Sequence, residues 1–155
     1  MKLNCLSIQQ PWADFILSGQ KRVENRTWNW MKERDWKRDG GVLLGIHVSS
    51  GISTWRNYDP KEREHLAPGW TKGASEIGNV RGVVDLVNIC RPKDLPRDLR
   101  KHKYAIYDPE NWCWVLENPR LFLPPIRAKG NVFINVEVND KLYPWMREES
   151  NKHGD

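Results

Sequence analysis

The stretch LSIQQPWADFILSGQKRVENRTW, residues 6 to 28, carries three structural signals in quick succession. Its first residues complete KLNCLSI (2–8), which puts Leu3 and Cys5 on one face and Leu6 and Ile8 on the other, an apolar-rich run of strand length. Pro11 then stands where a first helical residue tolerates the missing N–H. Trp12, Phe15 and Ile16 follow at helical spacing, and Gly19 can close the helix in a left-handed conformation. This spacing predicts a helix over 11–18. KRVENR (21–26) returns to an extended pattern with Glu24 and Arg26 on one face.

Working outward, four further stretches read as strands: GVLLGIHVSS (41–50), VRGVVDLVNIC (80–90), WCWVLENPRLF (112–122) and NVFINVEV (131–138). The third is expected to stop at Asn118-Pro119. Residues 54–66 read as a helix with Ser53 or Thr54 as cap, whereas Trp28 to Gly40 reads as an irregular loop or short helix. Five or six strands joined by irregular loops, with two or three short helices, predict an α+β, mainly β domain built as a small barrel or strongly curved sheet. At 155 residues the chain is expected to form one domain, 1–155.

Composition narrows the function classes. No apolar run approaches the roughly 20 residues that cross a bilayer, and the first residues lack a signal peptide's apolar segment, so no membrane partner and a soluble, cytoplasmic setting are expected. Cys5, Cys90 and Cys113 show no paired spacing and the four histidines are scattered. Neither a disulfide framework nor a metal site is indicated, and no cofactor is expected. Lysine and arginine outnumber aspartate and glutamate by 25 to 20, a balance that favours polyanionic partners. Nine tryptophans are difficult to bury together because each indole N–H needs a partner, so some should line a groove. Basic charge with spare aromatic faces is the composition of a protein that stacks bases. Residues 91–103 concentrate that charge, reading either as an electrostatic patch or as a solvated linker.

The same opening stretch resembles the ASCH family, named for an activating signal cointegrator homology domain, within the PUA-like superfamily. Its pattern S-x-x-Q-P-x-A followed by I-L-x-G-x-K-x-x-E-x-R is matched by Ser7, Gln10, Pro11 and Ala13, then Ile16, Leu17, Gly19, Lys21, Glu24 and Arg26. GIHVS (45–49) and WVLENPR (114–120) are similar to two further family segments. The resemblance implies a PUA-like barrel with a cleft beside it, framed by the proline-started helix and the following strand, of a shape suited to RNA or a modified nucleobase.

The residues read compatibly on their own. Lys21 is a donor and point charge, Glu24 an acceptor for exocyclic amines, and Arg26 a planar fork for phosphate or a base edge. Alternatively the three form an ion-pair network pinning helix to strand. Gln10, Trp12, Trp28, His47 and Ser49 complete the candidate ligand-binding set. Trp12 reads as core or platform, Trp28 and Trp30 as stacking rings, and His47 as a satisfied core histidine or a reactive one. Three functions follow. The first is a nucleic-acid-binding module, with RNA foremost, holding a single-stranded or modified nucleobase. The second is a hydrolase, since the resemblance implies N4-acetylcytidine amidohydrolase or ribonuclease activity with Lys21 and Glu24 catalytic. The third is a module for a protein partner. Glu24 stands where the deacetylating members carry a threonine nucleophile, and Thr27, the nearest hydroxyl, has the opposite strand parity.

Overall fold

The structure, a computed structural model, describes residues 1–49, 59–68, 77–105 and 108–153. Its elements run β1 (Lys2–Ile8), α1 (Trp12–Leu17), β2 (Val23–Arg26), α2 (Trp36–Asp39), β3 (Val42–Val48), α3 (Pro60–Leu66), β4 (Asn79–Cys90), β5 (Trp112–Arg127), β6 (Phe133–Glu137) and α4 (Trp145–His153). The class is α+β and mainly β, as expected. One six-stranded sheet has the order β2-β5-β4-β3-β1-β6, antiparallel except where β1 lies parallel to β3. The sheet is barrel-like without closing, because β2 and β6 end it as edges. Side chains bring those edges together instead: Trp28, just past β2, meets Phe133 of β6 edge-on at 5.7 Å between ring centroids.

Three sequence expectations change. The strand does not stop at Asn118-Pro119 but runs on to Arg127. Val83 pairs with Arg120 and Asp85 with Glu117, so Asn118 and Pro119 together face Val84 alone. Asn118 takes a φ of 50° there, and the proline's missing N–H is absorbed by the bulge. The second long helix begins only at Pro60, where Asp59 caps it through a reciprocal capping box with Glu62; Ser53 and Thr54 lie outside the described residues. A fourth helix, α4, exceeds the expected two or three, because its apolar anchors are too few to register as a periodic face. Met146 is buried with Tyr143 and Phe122 in a core that sequence periodicity does not outline.

The main core lies under α1. Ala13, Ile16 and Leu17 pack with Leu6, Ile8, Leu44, Ile46, Val84, Leu86 and Trp114. Gly82 permits this close seating, since a Cβ there would collide with the Arg120 carbonyl oxygen and with Leu17. Gly19 closes α1 at φ 80°, as its position predicted. Helix α1 is thereby fixed over the sheet, and the turn after it delivers residues 20–26 to the free edge.

Candidate functional site

Strand β2 is short and at the edge, so the residues just before it are free to turn inward. The Lys21 N–H donates to the Phe15 carbonyl at 2.9 Å, tying the turn to α1. The Lys21 side chain is 5% exposed. Its Nζ donates to the carbonyl oxygens of Val23 (2.5 Å) and Tyr104 (2.8 Å) and lies 3.5 Å from Glu24 Oε2. Two backbone carbonyls and one carboxylate therefore surround the ammonium, and the charge also sits 5.8 Å from the Trp12 ring centroid. Strand alternation would put Lys21 on the face opposite Glu24 and Arg26 without a kink, and β2 begins only at Val23, which leaves the chain before it free to make one.

Glu24 is the bridge. Its Oε2 faces Lys21 and its Oε1 lies 3.3 Å from Arg26 Nε, while the side chain stays 14% exposed. Arg26 is the most open of the three, at 21%, and its Nη2 donates to the Ser7 carbonyl at 3.0 Å. The sequence-predicted trio thus converges at one place, with one carboxylate set between two cations. Trp12 borders it in an aromatic group with Phe15 and Tyr104, each ring 5.9 Å from Trp12.

The other candidates separate from this trio. Gln10 is buried, its Nε2 donating to Asp14 Oδ1 (2.9 Å) and its Oε1 accepting from the Asp14 N–H (3.1 Å), so it braces the start of α1. His47 is 2% exposed, with Nε2 against the Ala128 carbonyl (3.1 Å) and Nδ1 against Ser7 Oγ (2.8 Å). A carbonyl only accepts, so the proton sits on Nε2 and Nδ1 accepts from the serine hydroxyl. Both ring nitrogens are spent inside the core. Trp28 and Trp30 turn onto Trp114, at 4.8 Å and 6.2 Å, and both touch Phe133. Ser49 continues β3 at the end of β1, its N–H donating to Ile8 O at 3.0 Å; its buried Oγ has no hydrogen-bond partner among the described residues.

Two residues absent from the sequence reading arrive from a distance. Tyr104 stacks on Phe15 at 5.0 Å and supplies a carbonyl to Lys21. His102 offers Nε2 to the Arg22 N–H at 3.2 Å, and burial, then the charges of Lys21 and Arg22, lower its pKa below the ordinary 6.5. More than 75 residues separate them from β2, so no local pattern could have found them.

The three cysteines are free, and burial pushes the Cys5 thiol up to about 12 and that of Cys90 to about 11, leaving them protonated and unreactive. Among the described residues, one His-and-carboxylate group gathers elsewhere: Asp85, Glu149 and His153. Arg120 Nη2 already fills it, 2.7 Å from Asp85 and 2.9 Å from Glu149.

Comparison with known proteins bears on this arrangement. The family model of the ASCH domain matches residues 6–126, which include the whole trio, the end of β1, all of β2, β3 and β4, and all but the last residue of β5. The chain belongs to the ASCH domain family. An ASCH-domain chain should share its fold with other members, and a mutant of the ASCH protein from Zymomonas mobilis, solved by crystallography, aligns with a TM-score of 0.50 over 94% of both chains at 11% identity. The crystal structure of ASCH from the same organism aligns at 0.46 over 94% of this chain and 93% of that one, also at 11% identity. At 11% identity the first of these likenesses speaks for the fold alone and leaves the chemistry of the site to the residues themselves. No helix among the described residues is long and apolar enough to cross a membrane.

Proposed function

We propose that this ASCH domain is a single-domain, cytoplasmic RNA-binding module whose edge strand reads one unpaired or modified base. One observation carries the reading: among the described residues Glu24 alone faces both Lys21 and Arg26, so the cluster keeps an unbalanced positive charge beside a tryptophan. An excess cation at a partly open site favours a polyanion, and Arg26, as the most accessible member, can turn its fork to a phosphate or a base edge. Glu24 gives acceptor oxygens for an exocyclic amine, and Trp12 gives an apolar face.

Binding is favoured over hydrolysis by the state of Lys21. Its side chain is 5% exposed and its Nζ is held by two backbone carbonyls beside Glu24, which leaves little room for a substrate carbonyl to reach it. His47 cannot assist it, with both nitrogens committed to Ser7 and Ala128. Lys21 then serves by positioning Glu24.

The test is fluorescence anisotropy with a short single-stranded RNA across a salt series. Affinity should fall steeply as salt rises, and Arg26→Ala should weaken binding at least about tenfold with the fold intact. Flat salt dependence would remove the proposal. Release of acetate from N4-acetylcytidine, lost in Lys21→Ala, would replace it with the hydrolase reading.

A further inference from the structure

The basic run at 91–103 has a defined shape. It opens with a 3-10 turn, Pro92–Asp94, and its Leu95 and Leu99 are buried against Val23, Cys113 and Val115. Those residues lie on the face of β2 opposite to Glu24 and Arg26, by strand alternation. At one end, Arg91 lays its guanidinium 3.8 Å from the centroid of the Trp112 ring and donates Nη1 to the Glu110 carbonyl at 2.8 Å. Trp112 is the register partner of Arg26. At the other end, His102 and Tyr104 hold Arg22 and Lys21. The run is therefore a strap fastened at both ends of the site strand.

With its leucines turned inward, the outer surface of the strap carries charge. Lys93, Arg97, Arg100, Lys101 and Lys103 are all exposed. Of the two acidic residues, Asp98 is paired with Arg22 at 3.4 Å. Arg100 and Lys103 each donate to a backbone carbonyl, of Leu95 and His65, which fixes where their charges stand. Lys93, Arg97 and Lys101 make no ion pair among the described residues. A protein partner would want an apolar centre within such a surface, whereas a phosphate chain needs only placed cations.

We infer that the strap binds the phosphate backbone of the single-stranded RNA whose base lies at Glu24 and Arg26; the inference rests on the RNA-binding reading above. The base site then supplies selectivity, and the strap supplies most of the affinity and salt dependence. The experiment measures log K against log salt for three proteins on one RNA: wild type, Lys93→Ala/Arg97→Ala/Lys101→Ala, and Lys37→Ala/Lys129→Ala/Lys141→Ala, which removes the same charge from exposed positions elsewhere. The strap variant should lose about 2 from the slope, at about 0.7 per single-strand phosphate contact, and bind at least about tenfold more weakly at low salt. The control variant should stay within about 0.5 of the wild-type slope. An unchanged slope in the strap variant, or an equal loss in the control, overturns the strap while an Arg26→Ala defect would leave the base site standing. A wild-type protein without salt dependence overturns both.

Discussion

The partly buried charge clusters around Glu24 and around Arg120 differ in balance. On the α4 side, Arg120 reaches Asp85 and Glu149, Lys152 reaches Glu149 at 2.8 Å, and His153 Nε2 reaches Asp85 at 3.1 Å. Two fixed cations meet two carboxylates, and the result is a latch that holds α4 to β4 and β5. At the β2 edge, two cations share Glu24. An Nε without a hydrogen bond is common to Arg26 and Arg120, so it distinguishes nothing. The distinguishing feature is the surplus charge, since the two guanidinium groups are almost equally exposed, at 21% and 18%. A neutral cluster has nothing left to attract, whereas an unbalanced one at an edge invites an anion.

The largest effect that could separate the two regions is Arg120→Ala. It takes the shared cation from two carboxylates of low solvent access, leaving Asp85 to Asn118 and His153 and Glu149 to Lys152, and we expect a loss of about 3 kcal/mol by chemical denaturation, with RNA affinity per folded molecule unchanged. A large affinity change would break the contrast. Lys21→Met comes next. It leaves the Val23 and Tyr104 carbonyls without their donor, so about 2 kcal/mol should be lost and the strap loosened, read as faster hydrogen exchange over 91–105. Arg26→Ala should do the reverse, costing under about 1 kcal/mol while weakening RNA binding at least about tenfold.

Acid offers the subtlest separation. His102 is held below its ordinary pKa of 6.5 by burial and by Lys21 and Arg22, so the unfolded chain binds its proton more readily. Its contribution is complete above 6.5 and lost as pH falls from there through the folded pKa. Burial pulls Asp85 upward, but hydrogen bonds from Arg120 and Asn118, with the charges of Arg120 and His153, hold its carboxyl below the ordinary 3.8. The latch therefore persists down to 3.8 and weakens only beneath it. Stability followed against pH should show His102→Asn flattening the upper window alone and Asp85→Asn the lower one alone.

Much of this was legible beforehand. The trio was placed on one short segment because Glu24 and Arg26 obey strand parity and Lys21 needs only a kink. The helix between Pro11 and Gly19 announced itself through proline, apolar spacing and glycine. Trp28 and His47 were harder, since an indole or imidazole in an apolar context reads equally as core or as site until its partners are known. Trp114 and Phe133 decide the first. Ser7 and Ala128 decide the second.

The chain by itself determined its run of strands, its opening helix, its excess of positive charge and the polar trio, because periodicity, turn residues and short spacings act over a few neighbouring positions. Tertiary structure alone decided that β5 passes through Asn118-Pro119, that α4 is latched by Arg120, and that His102 and Tyr104 complete the surroundings of Lys21. Each depends on contacts between residues far apart in sequence, where burial and hydrogen-bond satisfaction are settled only once the sheet brings its edges and its cover together.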